Sequence, residues 1–302
     1  MEHWFNVFGW LLSIVTAAGN GFVIFLVSKT RRLHLRSANL FVLSLAVADF
    51  GVGIAVFPSS YFCNYSMACN LRVQKAFFWF LLHSSVTNLC TLTWDRYIAI
   101  AHPFKYNNSM TKRRPGIVIL IAWSIPFAIS LSLLVGIYVI TSNTAHIVIK
   151  LTGVSAFDII CCVLLFYAVV RILVAARAKS RQEAAIELQI QSNHSIEFSN
   201  SHKRRKNNTA RFIIALVVFF LGCYVAVNYL VLCLIFSCHI MPDQAGQVVS
   251  CLLVLNSAVN PFVYALLKKD IKEEISKLIT KENNHRVRSS ATTTYISGAE
   301  CN

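Results

Sequence analysis

Asp49 stands near the middle of an apolar run, 37–62, that holds no cation to balance it. A carboxylate at the centre of a bilayer costs about 2.5–3.5 kcal/mol, so it needs a cation or a set of hydrogen-bond donors. Asn256, Ser257 and Asn260 supply such groups on one helical face, because they are spaced three and four apart. Asn20 and Ser85 are further candidates. Hydrogen-bonded glue between helices is the plainest use of such a cluster. A second group, Asp95-Arg96-Tyr97, closes another apolar run. Its adjacent opposite charges can neutralise one another in a closed state and separate in an open one, where an isolated arginine would simply snorkel to the interface. In Asn260-Pro261-Phe262-Val263-Tyr264 the proline removes a backbone hydrogen bond and kinks its helix, leaving carbonyls for Asn260 or water to satisfy. That makes a hinge. The sequence offers no His/Cys/Glu cluster at metal-ligand spacing, no phosphate loop and no Ser/His/Asp arrangement, so no enzyme is expected.

The elements that carry these groups are read from the gaps between charges. Residues 3–28, 76–94, 115–149, 212–242 and 244–267 contain no Asp, Glu, Lys or Arg, and 37–62 and 151–170 contain one carboxylate each, Asp49 and Asp158. A helix needs about 20 mostly apolar residues to span the hydrocarbon, so the chain reads as an all-α membrane protein with seven crossings. With 56% hydrophobic and 14% charged residues, and a mean hydropathy of +0.58, it has too much apolar surface for a soluble domain of 302 residues. A seven-helix transporter or channel is the alternative from another class. It would show paired inverted segments or a continuous polar stripe, whereas the only polar cluster surrounds Asp49.

Alternating sides along the seven runs puts Arg72, Lys75 and Lys150 on one side and the other 25 of 28 Lys and Arg on the opposite side. Cytoplasmic loops collect these residues, so the N-terminus is expected outside and the C-terminus inside. The net charge of +15 is then an inner-leaflet bias that attracts anionic lipid headgroups, and no nucleic-acid partner is implied. The first run lacks a basic leader and a small-residue cleavage pattern, so it is expected to remain as the first helix, with no ligand-binding domain before it. The segment 177–211, with Lys203-Arg204-Arg205-Lys206, is the longest polar stretch, and Ser192 to His202 is expected to be mobile. In 268–280, Ile271, Ile275, Leu278 and Ile279 share one face, which predicts a short amphipathic cytoplasmic helix after the seventh crossing. The organisation is therefore a 1–280 seven-transmembrane domain and a 281–302 tail carrying Ser289, Ser290, Thr292, Thr293, Thr294 and Ser297.

Trp94-Asp95-Arg96-Tyr97 followed by Ile98-Ala99-Ile100-Ala101-His102-Pro103-Phe104, the Asn260-Pro261-x-x-Tyr264 motif, Trp123 and Leu45 through Asp49 together resemble the rhodopsin-like (class A) G-protein-coupled receptor family. The resemblance covers residues 5–280. It implies a seven-helix bundle in the plasma membrane that transduces an extracellular ligand to heterotrimeric G proteins. It implies that Arg96 faces the C-terminal helix of the G protein, that Phe104 enters a hydrophobic pocket on it, and that Tyr264 swings toward Tyr167 on activation. It further implies an allosteric sodium ion held by Asp49, Ser85, Asn256, Ser257 and Asn260, and partnership with receptor kinases and arrestin.

Departures from the family pattern narrow the expectation. The usual Cys-Trp-x-Pro of the sixth helix reads Cys223-Tyr224-Val225-Ala226, the fifth-helix proline aligns with Ile159, and the acid that often pairs with the arginine of helix three aligns with Lys206. The altered sixth helix leaves open a poorly signalling pseudo-receptor of the same fold. Of ten cysteines, Cys69 can pair with Cys63, with Cys238 or with neither, and the loop at 139–149 has none. Missing both the usual disulfide and the fifth-helix proline leans toward the melanocortin, cannabinoid and lysophospholipid receptor branch. The amine-binding aspartate of helix three aligns with Phe78 and the retinal lysine with Val254, so a non-amine small molecule, lipid or peptide is expected, not retinal. The expected pocket is Phe78, Trp79, Leu82, His83, Leu151, Ser155, Tyr224, Val227, Asn228, Val231 and Ser250, mostly apolar with a few neutral polar groups. Asp158 can contact ligand, but its helical position favours a bond to a neighbouring helix. Asn64-Tyr65-Ser66 is a glycosylation sequon on the outer side.

Overall fold

A computed structural model describes residues 2–34, 36–65, 69–102, 106, 113–139, 148, 155–191, 200–236, 245–268, 270–278 and 280. Helix is the only regular structure among them. The helices are α1 (Glu2–Lys29), the short α2 (Arg31–His34), α3 (Ser37–Tyr65), α4 (Leu71–Ala101), α5 (Arg113–Val139), α6 (Phe157–Gln191), α7 (Asn200–Phe236) and α8 (Ala245–Leu267). A further helix, α9, covers 270–278.

Six of these, α1, α3, α5, α6, α7 and α8, are long and apolar enough to cross a membrane. The expected third crossing, α4, is the exception. Its 31 residues extend about 46 Å at 1.5 Å per residue, but they include His83, Ser84, Thr87, Asn88, Thr93 and Asp95, all buried. The packing accounts for this, because α4 lies against α3, α5, α6 and α7. Its polar groups face protein. On the rim, α5 turns Ile117, Leu120, Ile121, Phe127, Leu131 and Val135 outward, as a lipid-facing helix should.

Among the remaining helices α1 packs on α3 and α8, α8 on α3 and α7, and α7 on α6. The core runs along α3 through Phe41, Val42, Leu45, Ala46, Ala48 and Val52, none more than 1% exposed. Gly53 lets α1 and α3 approach, since a Cβ there would lie 2.7 Å from the Ala17 backbone nitrogen. Polar ties supplement the packing, as expected where lipid gives no hydrophobic drive between helices. Trp123 Nε1 donates to Ser44 Oγ (3.0 Å), which donates to Asn88 Oδ1 (2.6 Å), linking α5, α3 and α4. Thr87 Oγ1 donates to the Ala122 carbonyl at 2.7 Å.

Between α3 and α4 Cys63 and Cys69 form a disulfide, which decides between the pairings the sequence left open. It closes the α3–α4 connection beside Asn70, whose side chain caps α4 by accepting from the Arg72 and Val73 amides and whose Nδ2 donates to the Tyr138 hydroxyl (2.8 Å). The inner ends depart from expectation. Helix α6 continues to Gln191 and α7 begins at Asn200, so most of the polar 177–211 segment is helix, including Asn200, Ser201 and His202. Its Ala, Gln, Glu, Arg and Leu residues are strong helix formers, which polarity alone conceals. Residues 192–199 lie outside the described residues, as does the 281–302 tail. The amphipathic helix is present as α9. Ile271 is buried and Ile275 packs against the core, whereas Leu278 is exposed; Ile279 lies outside the described residues. Arg36, just before α3, forms an ion pair with Asp270 that ties α9 to the bundle.

Candidate functional site

Three levels of polar chemistry are stacked inside the bundle. At the middle, Asp49 on α3 is fully buried. Its Oδ1 accepts from Ser85 Oγ of α4 and its Oδ2 from Asn260 Nδ2 of α8, each at 2.6 Å. The Ser257 side chain also lies within reach of the carboxylate. Hydrogen bonds to a charged acceptor contribute about 1.5–3 kcal/mol each, so two of them offset the cost of holding the acid in the membrane. Asn256 is buried nearby, and neither of its amide atoms has a hydrogen-bond partner among the described residues. A carboxylate, hydroxyls and an unoccupied amide oxygen are the donors a hard cation takes, so the residues fit sodium. Among the described residues no three His, Cys, Asp or Glu gather as a metal site. Asn20 does not join the cluster. Its Nδ2 donates to the carbonyls of Thr16 (2.9 Å) and Ser257 (3.1 Å), tying α1 to α8 from behind.

Near the C-terminal end of α4 Asp95, 1% exposed, holds two groups at once. Its Oδ2 accepts from Arg96 Nε (2.9 Å) and Nη2 (2.5 Å), and its Oδ1 from the Tyr106 hydroxyl (3.0 Å). Burial first, and the Asp95 charge second, push the Tyr106 phenol up to about 12, so it stays a donor. Tyr264 is fully buried on α8. The Pro261 ring packs against Gly19, where a Cβ would sit 3.0 Å from Pro261 Cγ, and α8 continues helical through the proline. Lys268 follows α8 with its Nζ buried and no hydrogen-bond partner among the described residues. Burial, then the Arg96 charge, lower its ammonium to about 7, against the opposing pull of Asp270 and Asp95.

Tyr167 is half exposed on α6, where the Arg171 guanidinium lies over its ring at 5.9 Å and over that of Tyr97 at 5.8 Å. Arg171 Nη2 also donates to the Tyr97 hydroxyl at 3.2 Å. A cation one turn away holds a tyrosine ring at the interface as well as a buried partner would. Tyr106, Arg171 and Lys268 were missed from sequence. Arg171 had a signal, as the first charge after the 151–170 run. Phe104 lies outside the described residues, and the side chains of Lys206 and Asn64 do as well.

The expected pocket residues that the structure describes are all buried or half-buried. Leu82 and His83 of α4 and Tyr224 and Val227 of α7 are buried, with Phe78, Trp79, Asn228 and Val231 half-buried around them. The rings form a chain: Phe78 and Trp79 centroids are 5.3 Å apart, Trp79 and His83 5.5 Å, and His83 and Phe157 4.7 Å. Tyr224 stacks on Phe220 at 4.2 Å. Two expected polar contacts are spent within their own helices, since Asn228 Nδ2 donates to the Tyr224 carbonyl (2.9 Å) and Ser250 Oγ to that of Gly246 (3.0 Å). Ser155 Oγ is buried without a partner among the described residues, and Leu151 lies outside them. Asp158, 2% exposed, faces His83 of α4, with Oδ1 3.6 Å from Nε2.

Residues 19–264 match the family described as 7 transmembrane receptor (rhodopsin family). The trace amine-associated receptor 8c of Mus musculus is 27% identical over 302 aligned positions, covering 89% of this chain and 85% of the relative. The D(1C) dopamine receptor of Xenopus laevis is 36% identical over 132 positions, 40% of this chain and 27% of the relative. These relatives are named for amines, so the lean toward the melanocortin, cannabinoid and lysophospholipid branch and the expectation of a non-amine ligand gain no support from them. With most of its length matched, the chain belongs to the rhodopsin family of seven-transmembrane receptors, membrane proteins that signal through heterotrimeric G proteins and are not enzymes.

Proposed function

We propose that an extracellular small molecule enters the outer half of the bundle between α4, α6, α7 and α8, and that its binding opens the inner latch built on Asp95. The observation that carries this reading is the latch itself: one buried carboxylate neutralises Arg96 and holds Tyr106, so it keeps Arg96 from any partner below. A ligand shifts the balance only by binding the open bundle more tightly than the closed one. Between pocket and latch, Asp49, Ser85, Ser257, Asn256 and Asn260 hold a sodium ion in the closed state. Arg96 contacts the G protein, and Phe104 packs against it. The N-terminus is extracellular and the C-terminal segment, with its serines and threonines, is the substrate of receptor kinases and a partner of arrestin.

The test is second-messenger output, cAMP and calcium, in cells expressing the receptor or Arg96→Ala at matched surface level with several G proteins added. Signal that disappears with Arg96→Ala supports the latch. Equal signal from both removes Arg96 from the mechanism.

A further inference from the structure

We propose that Asp158, backed by His83, is the anchor for a protonated amine at the floor of the outer pocket. The inference rests on the reading that the ligand enters this half of the bundle, and it names the ligand's class. Asp158 Oδ1 and His83 Nε2 face each other across 3.6 Å, too far for a hydrogen bond, with both side chains at 2% exposure or less. Neither these atoms nor His83 Nδ1 has a hydrogen-bond partner among the described residues. A buried carboxylate oxygen left without a donor is costly, and a hydrogen bond between helices does not explain it, because that would close the distance. An ammonium carries three donors and no acceptor, so it matches Asp158 Oδ1, which lacks one.

The surroundings suit a cation as well. The Trp79 and Phe157 rings both pack on the His83 ring, and Tyr224 lies within electrostatic reach of the Asp158 carboxylate. Aromatic faces around an acid are the setting in which organic cations are held. Phe78 occupies the helix-three position where an amine's aspartate would be sought, five residues before His83, so this anchor lies roughly 7 Å deeper along α4. In the empty receptor His83 is the acid's neighbour; in the filled one the ammonium takes its place against the carboxylate, and the ligand's body rises past Trp79 toward Phe78. Tyr224 also feels the Asp49 charge, so a cation arriving at Asp158 acts on the same α7 side chain as the middle cluster.

The full-length receptor in lipid nanodiscs is titrated with 2-phenylethylamine, tyramine and dopamine, each paired with the alcohol that replaces its amine by hydroxyl, and melting temperature is recorded. At least one amine is expected to raise it at concentrations where its alcohol does not. Asp158→Asn is expected to raise the half-effective amine concentration about 30-fold or more, as for loss of one member of a buried charge pair. An unchanged response in Asp158→Asn overturns the proposal. If that variant does not reach the membrane, the native receptor decides, and equal potency of amine and alcohol overturns it. Absence of any amine effect on a receptor that retains Arg96-dependent signalling overturns the amine anchor and leaves the signalling reading standing, because melting does not depend on the G protein.

Discussion

Replacing Asp49 by asparagine separates the electrostatic role of the middle cluster from its structural one. The carboxylate accepts two hydrogen bonds of 2.6 Å, from Ser85 and Asn260. An asparagine keeps both if its oxygen accepts from Asn260 and its NH2 donates to Ser85, whose hydroxyl can accept as well as donate. Each bond falls from about 1.5–3 to about 0.5–1.5 kcal/mol once the charge is gone, a combined loss of about 2–3 kcal/mol. The membrane cost of the acid, about 2.5–3.5 kcal/mol, is relieved at the same time. The two changes nearly cancel, so Asp49→Asn should melt within a few degrees of the native receptor in potassium. Sodium should then tell them apart. At ten times its half-saturating concentration a single-site ligand stabilises the folded state by about 1.4 kcal/mol, roughly 2 °C for a chain of this size. The assay is thermal denaturation of the purified receptor in NaCl and in KCl at equal ionic strength. The native receptor should show the sodium-specific shift and Asp49→Asn should lose it. A shift retained in the variant, or absent from the native protein, refutes the sodium site and leaves the cluster as interhelical glue.

Two further substitutions probe the scaffold. Gly53→Ala places a methyl 2.7 Å from the Ala17 backbone nitrogen and 3.1 Å from the Thr16 side chain. Backbone cannot swing aside, so α1 and α3 must separate at a cost of about 1–3 kcal/mol; an unchanged melting temperature would show the contact to be slack. Lys268 has its ammonium lowered to about 7 from an ordinary 10.5. The unfolded chain therefore binds the proton more readily, and the stability contribution of this residue rises with pH from about 7 to 10.5. Lys268→Met should accordingly be more stable than native near neutral pH, with the difference shrinking as pH rises, and melts across that window that stay parallel would count against the burial of Lys268.

The legible parts of this molecule were those where membrane physics acts on composition directly. Charge-free runs located the crossings because length and apolarity are what a bilayer demands. Asp49 stood out because an acid is expensive there, and its partner Asn260 followed from helical spacing with Asn256 and Ser257, while Ser85 was one of two further candidates. Helix ends were less legible. Charge gaps put the third crossing at 76–94, whereas α4 runs from Leu71 to Ala101, since Lys and Arg at the interface continue the helix and reach outward from it. The same effect extends α6 and α7 through the polar inner segment. The exposure of Tyr167 and the partners of Asn20 were not legible for another reason, since rotation of a helix about its axis is set by packing against its neighbours, and the sequence of one helix does not contain it. The Asp158–His83 encounter joins helices that only the assembled bundle brings together.

The polarity of α4 bears on how the receptor is made. A nascent segment carrying His83, Ser84, Ser85, Thr87 and Asn88 in its centre partitions poorly into lipid by itself, unlike the six more apolar helices. Its stable place depends on α3, which precedes it, and on α5, α6 and α7, which are synthesised afterwards. The helix that carries His83, Ser85 and Asp95 is thus secured only once helices synthesised later have packed on it, and a chain interrupted before α7 would leave it without part of the wall that makes its polar face tolerable in the membrane.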